Sequence, residues 1–420
     1  MAYQEVTTTG YGTRVGRSFK SIGTGFLLFI AATALLWWNE GRAVKTEKML
    51  DEAGNAYVEM ENPNKKDASL DGELICGTAM ATTEDSLSDA QYGIGAKAIS
   101  LQRKVEYYQW VEESKEETED KLGGKEVKTT TYTYSKDWVG SPIESSKFHD
   151  PAYQDKNTVL ILVEPEDKWA ENVKFGAYML NENLIHCISS HEPMDLSAID
   201  SLQIVKWNKD IQQVVARQIG GKTDSLKLVH INNNEIYYGY SPSSPNVGDV
   251  RVTFEKVVPA KVTVMAVVDG DTFKAFKAKN GKRFQTLVMG KKTGDEIIDA
   301  EKEANNMWLW ILRILGISLV IAGLKGIFGF IETILKVVPF IAGIFGWGVG
   351  VVCTVVGVVW SLIVIALAWL FYRPLLAICL LAIAAFLIWV FAFKGKDKLK
   401  ELAAKARKTE PAATNNIEKV

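Results

Sequence analysis

Histidine and cysteine are scarce in this chain of 420 residues, with four of each, and that scarcity removes most site chemistry. None of His149, His186, His191 and His230 belongs to an H-E-x-x-H spacing, so a two-histidine zinc helix is excluded. His186 and His191 flank Cys187, but unrelated surface and core positions explain the three better than a metal site does. No G-x-S-x-G turn is present to raise a serine nucleophile. Residues 216–223 read A-x-x-x-x-G-K-T. They lack the first glycine of a phosphate-binding loop and follow a helical pattern rather than a strand, so a helix end and its turn account for them. The acidic run 116–120 lacks the spaced ligands and central glycine of a calcium loop and reads as a solvated face. No enzymatic, cofactor, metal or nucleic-acid chemistry is therefore expected. No N-x-S/T sequence occurs between residues 46 and 306, which fits a bacterial source.

What the chain does have is hydrophobicity, dealt out unevenly. A mean hydropathy of +0.01 hides an apolar run at 22–38 and an almost wholly apolar stretch from 307 to 393, with a polar, charge-rich block between them. About 20 apolar residues cross the hydrocarbon as a helix. The first run is therefore a span, with Trp37 and Trp38 as the aromatic anchor at its end. It is longer than a signal-peptide core and no small-x-small site precedes Asn39, so it is expected to stay uncleaved. A second span is expected over 307–325, with Trp308 and Trp310 at its start. Residues 326–338 carry Glu332 and Lys336 four apart on one helical face and read as an amphipathic interfacial segment rather than a crossing. A third span over 339–371, the turn Tyr372-Arg373-Pro374 and a fourth span over 375–393 complete four crossings.

Charge assigns the sides. The block 46–306 is net acidic and the ends are net basic, with Arg14, Arg17 and Lys20 before the first span and a basic tail over 394–420. Basic residues near span ends stay cytoplasmic. Residues 1–21 and the tail are therefore expected in the cytoplasm, and residues 39–306 form an extracytoplasmic domain. Arg42, Lys45 and Lys48 run against this rule. A bacterial inner membrane with a periplasmic domain is the expected location; in a eukaryote it would be the endoplasmic reticulum or inner nuclear membrane, with the domain lumenal.

Strand patterns dominate the domain. Residues 105–111, 129–134, 158–163, 173–180, 226–231, 235–240, 249–258 and 262–268 are rich in β-branched and aromatic residues. Asn232-Asn233-Asn234 reads as a hairpin turn and Gly123-Gly124 as an exposed hairpin tip. Apolar residues recur at helical spacing over 194–218, and a second helix over 295–306 leads into the second span. The fold class is thus α+β: four transmembrane helices, one N-terminal and three C-terminal, with a large β-rich extracytoplasmic domain between the first and second. Cys76 and Cys187 could form a disulfide in an oxidising compartment; Cys353 and Cys379 lie in apolar runs and pack as small apolar residues.

Two features of the spans point to assembly or function. Gly346, Gly350 and Thr354 recur every four residues, and Cys353, Gly357 and Ser361 do so one face-step away. Together they make a stripe of small residues where another helix can approach closely, within the bundle or between protomers. Arg313 is a charge inside the second span, and such a charge is either functional or snorkels to the interface. The leading expectation is a non-enzymatic membrane scaffold, a homo-oligomer that contacts the lipid bilayer and other membrane or envelope proteins. The rival is a sensor or transport accessory with a ligand-binding outer domain and a polar path of Arg313, Glu332 and Lys336.

At Trp38-Asn39-Glu40-Gly41-Arg42-Ala43-Val44-Lys45-Thr46 the chain resembles the LUMA (transmembrane protein 43) family. The likeness continues at residues 105–112, at Tyr132-Thr133-Tyr134 with Trp138, at residues 247–254, and at Trp369-Leu370-Phe371-Tyr372-Arg373-Pro374-Leu375. The resemblance implies four spans and a large lumenal or periplasmic domain. In animals it also implies a scaffold of the endoplasmic reticulum and inner nuclear membrane that associates with itself and with nuclear-envelope proteins such as lamins and emerin. It brings no catalytic residues.

Overall fold

A computed structural model describes residues 3–219, 223, 225–335 and 339–374. The expected fourth span (375–393), the basic tail, Cys379 and Lys336 lie outside them. The elements that organise the molecule are, in chain order, β1 (Tyr3–Thr9), α1 (Tyr11–Ala56), β2 (Leu74–Thr83), β3 (Ser100–Asp120), β4 (Glu126–Val139), β5 (Val173–Phe175), α2 (Ser201–Ile219), β6 (Val229–Asn232), β7 (Glu235–Tyr238), β8 (Val250–Val257), β9 (Ala260–Asp269), β10 (Thr286–Met289), α3 (Gly294–Leu335) and α4 (Pro339–Tyr372).

The domain is built on two antiparallel-dominated sheets. One has eight strands along the order β1-β4-β3-β8-β7-β6; the other has seven, with β5, β2 and β9 in sequence and β10 on β9. Strands β8 and β9 are separated by Val258 and Pro259, so one nearly continuous stretch links the sheets. On β8 every second residue points inward: Val250, Val252 and Phe254 enter a core with Ile236, Tyr238, Ile211 and Val215, as a half-buried strand requires. Strand β9 is covered on both faces. Val262, Val264, Ala266 and Val268 enter the core of the second sheet. Met265 and Val267 pack on Leu50, Ala53, Ile297 and Ile298, from the ends of α1 and α3. The domain thus grips the helices through its most buried strand.

Several sequence expectations shift. Residues 158–163 are irregular rather than a strand: Leu160 N–H donates to Gly248 O, while Val163 exchanges hydrogen bonds with the Tyr107 hydroxyl, so side chains replace a ladder. The helix expected from 194 starts at Ser201, after a short strand over His191–Pro193. Asn233 does adopt a left-handed φ of 48° in the β6–β7 turn, a conformation that asparagine tolerates. Within the expected N-terminal segment, residues 3–9 form β1, which pairs with β4 along its full length, and α1 begins at Tyr11.

Helix α3 begins at a capping box: Glu296 N–H donates to Thr293 Oγ1, and Thr293 N–H donates to the Glu296 carboxylate. It then runs unbroken for 42 residues, so the segment expected to be interfacial, 326–338, continues the second span as far as Leu335. The cause is pairing with α1. Ser21 Oγ donates to Gly326 O, Phe19 stacks on Phe330, and Tyr11 donates to Ile334 O. Midway, the backbones touch: a Cβ on Gly25 would lie 2.8 Å from Gly323 O, and a Cβ on Gly323 would lie 2.8 Å from Phe29 N. Helix α4 packs across this pair through Phe29–Trp360 and Trp37–Phe371. The described residues contain three helices long and apolar enough to cross a membrane, one N-terminal and two C-terminal.

Candidate functional site

The polar centre of the bundle lies where its helices enter the domain. Residues 39–42 of α1 meet Asn305, Leu309 and Arg313 of α3, together with Trp369, Tyr372 and Arg373 at the end of α4. Arg313 Nε and Nη2 donate to the two carboxylate oxygens of Glu40 at 2.6 and 2.8 Å. Glu40 is 2% exposed. Trp369 Nε1 donates to the same carboxylate at 2.8 Å, and the guanidinium lies over the rings of Trp310 and Trp369, 4.9 and 5.5 Å from their centroids. The bidentate geometry, the third donor and the aromatic faces together compensate charges that would be very costly alone.

Amides extend the cluster toward the domain. Asn39 Nδ2 donates to Leu309 O, Arg42 donates to Asn39 and Asn305 side-chain oxygens, and Asn305 Nδ2 donates to Ala43 O. Arg373 pairs with Glu47 and Lys302 with Asp51 at the more exposed rim. A cavity of about 220 Å³ lies among Glu40, Glu47, Lys302, Asn305, Arg313 and Arg373. Gly41 lets the Tyr372 ring pack close on the facing side, where a Cβ would lie 2.5 Å from it and the ring would have to shift. Tyr57 closes the aqueous end by donating to Asp295, next to the capping box.

The candidate residues divide cleanly. Asn39, Glu40, Gly41, Arg42, Arg313 and Arg373 gather here, and Pro374 follows at once. Trp37 packs on Phe371 and Tyr372, while Trp38, Trp308 and Trp310 are exposed on the bundle surface. In the small-residue stripe, Cys353 and Ser361 are buried and a Cβ on Gly357 would lie 2.7 Å from Ile321 Cγ1, so this half is used against α3. Thr354 is exposed, and among the described residues nothing lies within 4 Å of a Cβ on Gly350; Gly346 lies in α4. Of the expected polar path, Arg313 and Glu332 are 19 positions apart on one helix, about 28 Å, and Lys336 lies outside the described residues. Sequence reasoning missed the Glu40 partner and the Gly25–Gly323 contact. The Asn39-Glu40-Gly41-Arg42 motif just past a span was the available signal for the first.

The domain has its own buried polar groups. Asp249 accepts from the Tyr237 hydroxyl at 2.5 Å and from Asn246 N–H at 2.8 Å, yet burial still raises its pKa above the usual carboxylate range. The Cys76 thiol is pushed up to about 12, first by burial and then by the charges of Glu59 and Asp295, which makes it a poor nucleophile. Cys76 and Cys187 are both free. Among the described residues no group of three potential metal ligands gathers.

Long apolar helices around a buried ion pair, with a β-rich domain between the first and second, define an integral membrane protein of the α+β class. The chain belongs to the Transmembrane protein 43 family, whose model matches residues 107–374. It is 29% identical over 380 residues to Transmembrane protein 43 of Rattus norvegicus, covering 88% of each chain. It is 28% identical over 387 residues to the Homo sapiens protein, covering 89% of this chain and 90% of that one. The Drosophila melanogaster homolog is 24% identical over 370 residues, 86% of this chain and 91% of the fly protein. No solved structure matches. These relatives are animal proteins, so the expected bacterial inner membrane has no support from them.

Proposed function

We propose that the chain is a non-enzymatic membrane scaffold that self-associates through its helices and presents the β-rich domain to other membrane or envelope proteins. One observation carries this reading: α1 and α3 run for 46 and 42 residues without a break from the apolar bundle into the core of the domain. A domain on two continuous helices, joined by a buried ion pair, transmits position and load rather than hinging over a substrate. The acidic middle and basic ends support a domain on the non-cytoplasmic side. The open face of α4 at Gly350 and Thr354 supports helix-to-helix contact between copies.

Crosslinking in membranes followed by size analysis in detergent tests the assembly. Gly350→Leu meets no described residue within 4 Å of its Cβ, so the variant should fold and dissociate. A wild-type chain that is monomeric throughout, or a Gly350→Leu oligomer of unchanged size, overturns this interface.

A further inference from the structure

Two of the three bases that break the charge rule, Arg42 and Lys45, gather with Lys282. A cleft of about 380 Å³ opens beside the end of the first apolar run, lined by Trp38, Arg42, Lys45, Asn280, Lys282 and Tyr372. Three cations face it and no carboxylate lines it. The loop that supplies Asn280 and Lys282 is fixed in place. Ala278 N–H donates to Lys282 O across a turn in which Gly281 takes φ of 82°. Asn280 Nδ2 donates to Lys45 O, Lys282 Nζ to Thr46 Oγ1, and Lys279 N–H to the Glu52 carboxylate. Arg42 donates to the neutral side-chain oxygens of Asn39 and Asn305, and the charge of Glu40, itself paired with Arg313, acts on it from outside the cleft. Burial and then the charges of Arg42 and Lys45 hold the Lys282 ammonium below its ordinary range, the sign of cations crowded without a counter-ion. Trp38 is 56% exposed at the end of the span, where an indole sits at headgroup level.

We propose that this cleft binds a phosphate group, that of an anionic phospholipid headgroup at the rim of the bilayer. Arginine and lysine donors converge on the phosphate, and the aromatic side chains of Trp38 and Tyr372 border the acyl region. The full chain in detergent, titrated with phosphatidic acid, phosphatidylcholine or glycerol phosphate and followed by thermal unfolding, tests it. Phosphatidic acid should raise the melting temperature and the other two should not. Lys45→Gln/Lys282→Gln should weaken the phosphatidic acid response about fivefold per base removed. Lys45→Arg/Lys282→Arg should restore it, and Lys48→Gln, outside the cleft, should leave it intact. An equal response to phosphatidylcholine or glycerol phosphate overturns the lipid assignment; an unchanged response in the double glutamine variant overturns the site.

A different observation concerns the far end of the bundle. Residues 3–9, 126–132 and 114–120 form a three-stranded ribbon that leaves the domain and reaches the first turn of α1. There Arg14, 6% exposed, meets Asp120 at 2.6 Å, Glu126 at 3.1 Å and Gly124 O at 3.0 Å. From Gln109 to Asp120 a strand covers about 36 Å; from Arg14 to Trp38 a helix also covers about 36 Å. That strand stretch therefore matches the helix from Arg14 to Trp38, which includes the whole apolar run 22–38, about 24 Å long. Both of its faces are polar, with Glu116 and Thr118 on one and Lys115, Glu117 and Glu119 on the other, all exposed. Lipid accepts neither such faces nor open strand edges. Among the described residues the outer edges of β1 and of residues 111–119 carry no strand partner.

We infer that ribbons of neighbouring copies pair edge to edge, β1 of one beside β3 of the next, inside a wall formed by the apolar helices. The inference rests on the self-association proposed above. Two tagged chains lacking Cys187, one Thr7→Cys and one Glu117→Cys, co-expressed and treated with a short thiol crosslinker in membranes, should give a mixed dimer. A Thr8→Cys/Val127→Cys chain should crosslink internally in the same membranes. Intact oligomers without the mixed dimer, or with no internal crosslink, overturn the ribbon contact alone; loss of oligomers altogether overturns both.

Discussion

The two ends of the α1–α3 pair are held by opposite means. At the domain end, charge does the joining: Glu40 and Arg313 are buried together with Trp369 and two asparagines. Toward the far end, side chains give way to bare backbone, where Gly25 and Gly323 approach within van der Waals distance. The difference follows from the surroundings. Near the domain, water and polar partners are at hand to satisfy an ion pair and its neighbours, whereas between apolar helix faces close packing of small residues is the principal means of association. The charged end is specific, because a carboxylate and a guanidinium fix register and rotation. The glycine end is tight but tolerates sliding, so each end supplies what the other lacks.

The largest test of this contrast removes one charge. Arg313→Leu strips Glu40, 2% exposed, of its guanidinium partner and leaves it the Trp369 donor, which should cost about 3–5 kcal/mol and lower the thermal midpoint in detergent accordingly. Glu40→Gln/Arg313→Leu should recover most of that loss, because no charge is then stranded and the glutamine oxygen still accepts from Trp369. If the single variant melts like the wild type, the charged end is not a clamp. If the double variant is as damaged as the single one, the pair matters through packing rather than charge.

Both ends were visible in the sequence to different degrees. The first span, the apolar runs after residue 307 and the helix over 295–306 follow from local pattern, and the described residues contain three helices of the expected length and apolarity, one N-terminal and two C-terminal. Arg313 stood out as an intramembrane charge and Glu40 belonged to a recognisable motif, yet 273 positions separate them, and no local periodicity encodes such a pairing. Strand β1 was illegible for a different reason. Its residues are polar on both faces, so the alternation that marks a half-buried strand is missing. The small-residue stripe on α4 was legible as a pattern but not as an orientation: Gly357 faces Ile321 while Gly350 faces outward. Gly25, Gly323 and Gly326 gave the converse case, scattered glycines without a conspicuous stripe that turn out to make the tightest contact.

The smaller test addresses that contact. A methyl group suffices: Gly323→Ala places a Cβ against Phe29 N and Gly25 O, backbone atoms that cannot rotate away, so the helices must separate. Overpacking of this kind costs about 1–3 kcal/mol, less than a stranded charge because a small tilt relieves it. Gly329, two turns nearer the end of α3, has nothing within 4 Å of the place a methyl group would take. There the same substitution should act through helix propensity alone and stabilise by up to about 1 kcal/mol. Thermal midpoints of the two variants should therefore move in opposite directions from the wild type. If both rise, the glycine end is looser than the backbone contact implies and the bundle depends on its charged end alone.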